Sequence, residues 1–93
     1  MAKKSTAARR RRRPRRETLE TLSANIREYR TLRRLSQDEL AAAASLNRSY
    51  VGDLERCQHN PSLSTLECLA DALGVSTVDL LAPASAAQRK RNS

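Results

Sequence analysis

The chain has 93 residues and a formal net charge of +8, with two glycines, three prolines, two tyrosines and neither phenylalanine nor tryptophan. This length allows one small domain, and the scarcity of glycine and proline favours helices over a turn-rich sheet. No apolar stretch approaches the roughly 20 residues of a transmembrane helix, and no hydrophobic run follows the basic N-terminus as in a secretory signal, so a cytoplasmic location is predicted.

The first 16 residues form a basic segment that contains nine lysines and arginines and no acidic residue. Its arginines are Arg9, Arg10, Arg11, Arg12, Arg13, Arg15 and Arg16. The rest of the chain holds nine basic against ten acidic side chains, so the charge is concentrated in this segment. Because like charges repel and cannot bury apolar area, we expect a disordered arm, and Pro14 opposes a helix through it.

The first helix is predicted over residues 18–33. Leu22, Ile26 and Tyr29, followed by Leu32 or Arg33, recur at three- and four-residue steps, which is the spacing of one apolar face of an amphipathic helix. This face is expected to pack on the remainder of the domain.

Two capped helices follow in close succession. Ser36 and Glu39 form the S-x-x-E capping box of a helix over residues 37–44. Asn47 is a favourable N-cap for the next helix, over residues 48–56, in which Val51 and Leu54 are expected to face inward. A turn of only three residues separates the two helices.

Two further helices complete the predicted domain. Ser62 is the expected N-cap of the fourth helix and Gly74 its terminating glycine. Ser76 with Asp79 repeats the capping pattern for a short fifth helix, which Pro83 closes. The resulting division is a disordered basic arm over residues 1–16, a helical domain over residues 17–83 and a flexible tail over residues 84–93.

The segment from 47 to 55 has the pattern of a helix that enters a DNA groove. Two helices joined by a short turn allow the second to lie in the major groove while the first crosses the backbone. Arg48 can contact guanine O6 and N7, and Ser49 can bond several base edges. Asp53 can accept from cytosine N4 or orient Arg48 or Arg56, and Gly52 leaves space for close approach to DNA. These four residues are the predicted base contacts.

Residues 26–82 resemble the phage-repressor-like, or Cro/XRE-type, helix-turn-helix DNA-binding domain. The motifs that carry the resemblance are "IREYR", "LSQDELA", "LNRSYVGDLE", "NPSLSTLECLADALGV" and "DLL". The resemblance implies a compact, all-α, five-helix lambda-repressor-like domain in which the third helix reads bases.

The resemblance also implies roles for individual residues. Gln37 corresponds to a glutamine that binds phosphate and anchors the recognition helix. Arg30 and Glu55 correspond to a structural salt bridge between the first and third helices. Arg56 and Asn60 correspond to a loop that touches the DNA backbone, and the arginines of the arm, at positions 9–13, 15 and 16, are added as further phosphate contacts.

The sequence departs from the family pattern at three turns. Where the family often has glycine, this chain has Arg34, Ser45 and Cys57. A non-glycine residue in the left-handed region costs on the order of 1 kcal/mol, so these turns are expected to be strained or altered. A phosphate contact from the backbone amide of Cys57 is placed in doubt.

These observations predict a sequence-specific DNA-binding transcriptional regulator, a repressor or autoregulator, that binds a pseudo-palindromic operator on the nucleoid as a homodimer. The arm would supply affinity and the third helix sequence choice. Two alternatives are an antitoxin-type module whose ligand is another protein, and an RNA-binding protein that acts through the arm. No nucleophile–base pair or phosphate loop suggests an enzyme, and no cofactor is expected. Cys57 and Cys68 are interpreted as free buried or half-buried thiols, with Cys68 in the core of the fourth helix. The alternative, a metal site at Cys57, His59 and Cys68, lacks paired zinc-ligand spacing.

Overall fold

The computed structural model describes residues 16–83, and all regular secondary structure in this range is helical. The elements in chain order are α1 (Arg16–Leu32), α2 (Gln37–Ala44), α3 (Arg48–Glu55), α4 (Leu63–Leu73) and α5 (Thr77–Leu81). The predicted all-α, five-helix architecture is therefore confirmed for the described range. The arm residues 1–15 and the tail residues 84–93 lie outside it.

The first helix begins earlier than the sequence predicted. Arg16 was assigned to the disordered arm, whereas it is the first residue of α1. Its Nε lies 3.2 Å from the carboxylate of Glu20, one turn further along the helix. Such an i,i+4 pair stabilises a helix by a few tenths of a kcal/mol, and Glu17 in the first turn complements the positive end of the helix dipole.

The core is built almost entirely from aliphatic side chains. All five helices contribute to it, with Ile26, Leu40, Val51, Leu69 and Leu80 completely inaccessible to solvent. The remaining buried apolar residues are Leu22, Tyr29, Ala41, Ala44, Leu54, Leu66, Ala70 and Leu73. The predicted inward positions of α1 and α3 belong to this core, which fixes the faces that α2 and α3 turn outward.

Serine and asparagine caps set the starts of the helices after α1. Ser36 Oγ accepts from the Glu39 amide at 3.0 Å, while Glu39 Oε1 accepts from the Ser36 amide at 2.7 Å. Ser76 and Asp79 form a second capping box, and the side chains of Asn47 and Ser62 cap α3 and α4. Each cap satisfies amides that the first helical turn leaves without a partner.

The three turns that lack the family's glycine keep the left-handed backbone. Arg34, Ser45 and Cys57 have φ angles of 60°, 59° and 62°, close to the 72° of Gly74 at the end of α4. The predicted strain is therefore present, and the turn geometry is kept without glycine. The Cys57 thiol lies 3.2 Å from Ser23 Oγ, which ties this turn to α1.

The fifth helix is held on α1 by one buried amide. Asn25, 1% exposed, donates from Nδ2 to the carbonyl oxygens of Leu80 at 2.8 Å and Ala82 at 2.7 Å. The last carbonyls of a helix lack intrahelical donors, so Asn25 acts as a C-terminal cap supplied by another helix.

Two side chains lie differently from the sequence-based interpretation. Cys68 was expected in the core of α4, but it is exposed, because Leu66, Leu69 and Leu73 supply the face of α4 that is turned inward. Leu32 was a candidate for the apolar face of α1 and is 50% exposed, since α1 ends there. None of the helices between residues 16 and 83 is long and apolar enough to cross a membrane.

Candidate nucleic-acid interface

A short turn joins α2 and α3. Ser45, in the left-handed conformation, ends α2, and its amide donates back to carbonyls in the last turn of that helix. The Leu46 amide donates to the Ala41 carbonyl at 2.8 Å. Asn47 then opens α3, with its Oδ1 accepting from the Ser49 amide at 2.8 Å. The chain thus leaves one helix and enters the next within three residues.

The first turn of α3 presents polar side chains to solvent. Arg48 and Ser49 are exposed, whereas Val51 and Leu54 on the opposite side are buried. Arg48 Nε lies 3.1 Å from Asp38 Oδ1 in the first turn of α2. No sequence pattern indicates this ion pair, because it depends on how α2 and α3 cross.

Asp53 is engaged within the protein. Its Oδ1 accepts from Arg56 Nη2, and its Oδ2 lies 3.4 Å from His59 Nε2. The His59 ring is also tilted against Tyr50, with centroids 4.8 Å apart. Of the two arginines that Asp53 was predicted to orient, it is Arg56 that it contacts. A contact from Asp53 to cytosine would compete with these partners.

Gly52 lies among side chains of the protein itself. It was predicted to leave room for DNA, but the residue is buried. A Cβ at this position would lie 3.4 Å from Arg56 Nη1 and 3.7 Å from Gln37 Oε1. The space that Gly52 leaves is bordered by the chain's own side chains, so Gly52 is a poor candidate for a base contact.

The carboxylate of Glu55 joins three helices. It accepts from Arg30 Nε at 2.7 Å and Arg30 Nη2 at 3.1 Å, and from Gln37 Nε2 at 2.9 Å. Arg30 also donates to the Leu35 carbonyl at 3.0 Å. The pair that the family resemblance implied is thus formed in the structure, and Gln37 uses its amide nitrogen within it.

Two contacts to the end of α3 were not anticipated. Arg27 donates to the backbone carbonyl of Glu55, and Ser23 Oγ donates to that of Leu54 at 2.6 Å. Both carbonyls belong to the last turn of α3, where the i+4 donors of the helix are missing, although the Cys57 amide also donates to the Leu54 carbonyl at 3.1 Å. Side chains of α1 therefore fix the C-terminal end of α3, and no local sequence pattern signals this.

The predicted phosphate contacts are spread over the described and undescribed parts of the chain. Arg56 and Asn60 are exposed around the loop after α3. Arg16 is exposed at the start of α1. The arginines at positions 9–13 and 15 lie outside the described residues.

The net charge of residues 16–83 is negative and does not favour binding to DNA. Residues 16–83 contain seven arginines and no lysine against ten carboxylates, a net charge of −3. Long-range attraction to a polyanion cannot come from this part alone. No group of metal-ligating side chains is found among the described residues, and Cys57, His59 and Cys68 do not converge there.

The chain has clear relatives. A family model described as helix-turn-helix matches residues 26–80. Control protein C.SmaI of Serratia marcescens is 47% identical over 62 residues, which are 67% of this chain and 74% of that protein. For several other curated relatives, the match spans less than two thirds of their length.

Solved structures show the same arrangement. The hypothetical transcription factor NHTF from Neisseria superposes with a TM-score of 0.74 and 36% identity, covering 82% of this chain and 88% of that one. The restriction-modification controller protein C.Esp1396I, solved as a tetramer with its natural 35-base-pair operator, superposes with a TM-score of 0.63 and 30% identity. That match covers 68% of this chain and 83% of the controller.

Proposed function

The chain belongs to the Cro/XRE-type helix-turn-helix family of DNA-binding transcription regulators, and from this premise we propose that it is a repressor or autoregulator that reads operator DNA with α3. Its place of action would be the nucleoid in the cytoplasm. The carrying observation is that Arg48 and Ser49 are exposed on the first turn of a helix whose Val51 is fully buried. A rigid helix with a polar leading end is what major-groove recognition requires.

Base contacts are assigned to Arg48 and Ser49. Arg48 is suited to guanine, since a guanidinium can donate to O6 and N7 together. Ser49 would bond a second base edge or an adjacent phosphate. Asp53 is retained as a weaker candidate, because its carboxylate already accepts from Arg56.

Phosphate contacts are assigned to Gln37, Arg56, Asn60 and the arm. Gln37 begins α2, where backbone amides of the first turn favour an anion. The arginines at positions 9–13, 15 and 16 would supply most of the non-specific attraction, because residues 16–83 carry a net negative charge.

The protein is proposed to act as a homodimer on a pseudo-palindromic operator, with half-sites about one helical turn apart. Val78 and Leu81 on α5 are 71% and 39% exposed and would be buried against a second copy. C.Esp1396I, which shares this fold, assembles as a tetramer on its operator.

Random-site selection on duplex DNA tests the proposal. The full chain should enrich a two-fold related motif, and a variant with both Arg48→Ala and Ser49→Ala should lose preference at defined base pairs of each half-site. Each lost bidentate contact is expected to cost about 1–3 kcal/mol of discrimination. Selection of no motif at moderate ionic strength, or equal affinity for single-stranded RNA and duplex DNA, would overturn it in favour of binding through the arm alone.

A further inference from the structure

The ion pair between Arg48 and Asp38 links the two helices of the motif at their exposed ends. Arg48 is the first residue of α3, and Asp38 lies in the first turn of α2. Their side chains are 61% and 76% exposed, and Nε lies 3.1 Å from Oδ1. Exposed pairs of this kind are screened by water and salt and add little to folding stability. Some other reason is needed for a carboxylate beside the leading arginine.

We propose that Asp38 is a positioning residue for Arg48, and that it sets base preference from outside the recognition helix. This rests on the proposed function, in which Arg48 reads a base. An arginine has five N–H donors in a rigid planar fork. The ion pair brings the Asp38 carboxylate to the Nε side of the guanidinium, and we infer that Nη1 and Nη2 would serve a guanine edge.

The position of Asp38 makes a purely electrostatic role unfavourable. A carboxylate at the presumed DNA surface repels phosphate and weakens binding to any duplex. Asp38 therefore detracts from general affinity. It complements the dipole of α2, as Glu39 in the same turn also does, and what it adds beyond Glu39 is the ordering of one side chain. An arginine that is already ordered loses less conformational freedom when it binds.

The neighbouring carboxylate cannot take over this task. Glu39 also lies in the first turn of α2, but its Oε1 accepts from the Ser36 amide at 2.7 Å in the capping box. Asp38 and Glu39 thus have separate partners. Glu39 completes the capping box at the start of α2, whereas Asp38 is available to order Arg48 at the start of α3.

The test compares Asp38→Asn with wild type in the full chain. Two duplexes are used, the selected operator and one changed at the base pair whose preference Arg48→Ala reduces most without abolishing it. Discrimination between them should fall about two- to tenfold in Asp38→Asn, while affinity for an unrelated duplex stays equal or rises. Glu20→Gln is the matched control, because it removes the same charge from another exposed arginine pair. It should leave discrimination unchanged.

A double-mutant cycle separates the inference from the proposal on which it rests. Adding Asp38→Asn to Arg48→Ala should have no further effect on discrimination at that base pair. An equal loss in both backgrounds, or no loss in Asp38→Asn alone, would overturn the positioning role while leaving Arg48 as a base reader. If Arg48→Ala itself changes preference at no base pair, the assignment of Arg48 fails and the role of Asp38 with it.

Discussion

At the scale of single residues, Glu55 decides where the exposed end of α3 lies. Its side chain is 3% exposed and accepts hydrogen bonds from Arg30 and Gln37. A buried carboxylate without partners is strongly unfavourable, so the donors of α1 and α2 must meet α3 at this point. The placement of Arg48 and Ser49 therefore follows from contacts at the opposite end of their helix.

Removing Arg30 should be far more damaging than removing an exposed arginine. Arg30→Ala leaves the Glu55 carboxylate buried with Gln37 alone, and breaking such a pair costs about 3 kcal/mol or more. Urea unfolding followed by circular dichroism measures the loss. Arg16→Ala is the control, since the Arg16–Glu20 pair is mostly exposed and should change stability by less than about 1 kcal/mol. Equal effects of the two substitutions would show that Glu55 does not depend on Arg30.

Sequence reasoning recovered the residue-scale site only in part. The Arg30–Glu55 pair could be predicted because the family resemblance implies it. The pairs Arg48–Asp38 and His59–Asp53 could not, since each depends on how neighbouring elements cross and on side-chain length. The space beside Gly52 is bordered by Arg56 and Gln37, and no local pattern indicates which side chains border it.

At the scale of elements, the helix ends were the most predictable feature. Caps are local, so Ser36, Asn47, Ser62 and Ser76 could be assigned from spacing alone, and the structure confirms all four. The start of α1 was missed because none of the usual capping residue types directly precedes Arg16 in the sequence, where a run of arginines and one proline stands instead. Cys68 was wrongly predicted to be buried because it borders the apolar face of α4. Whether such a position is buried or exposed depends on how the other helices pack against α4.

Substitutions at two left-handed turns are expected to change the free energy of unfolding in opposite directions. Ser45→Gly should raise the free energy of unfolding by about 1 kcal/mol, because Ser45 has a φ of 59°. Gly74→Ser should lower it by at least about 1 kcal/mol, since a Cβ there would also approach the Arg33 guanidinium to 2.9 Å. Thermal and urea unfolding measure both. The same sign for the two variants would mean that backbone strain does not control these turns.

At the scale of the whole molecule, the helical part and the charged ends have different tasks. Residues 16–83 carry −3, although the chain carries +8, so the ends outweigh the domain. A domain of this small size also buries a limited core, which leaves apolar side chains such as Val78 exposed on α5. The sequence alone showed that the positive charge lies mainly at the N-terminal end. It could not show that Leu80 is fully buried while Leu81 is partly exposed.

Dimerisation through α5 predicts a specific loss on charge insertion. Val78→Glu should raise the dimer dissociation constant at least tenfold, because an unpaired carboxylate would be buried on association. Sedimentation equilibrium measures the change, and circular dichroism should show a folded monomer. Leu32→Glu is the control, since Leu32 is a similarly exposed apolar residue on α1, two helical turns beyond the contact of Asn25 with α5. Unaltered association of Val78→Glu would place the interface elsewhere.

The salt dependence of DNA binding tests whether the basic arm supplies affinity while α3 supplies sequence preference. A variant with glutamine in place of the five arginines at positions 9–13 should bind operator more weakly, with the slope of log K against log salt reduced by about 4. Random-site selection should return an unchanged motif, because phosphate contacts carry no direct sequence information. Replacing Arg89, Lys90 and Arg91 by glutamine controls for net charge alone. For each charge removed, it should reduce the slope of log K against log salt by less than the arm variant does. A changed motif in the arm variant would show that the arm itself reads DNA, in the minor groove, and that α3 is only part of the recognition surface.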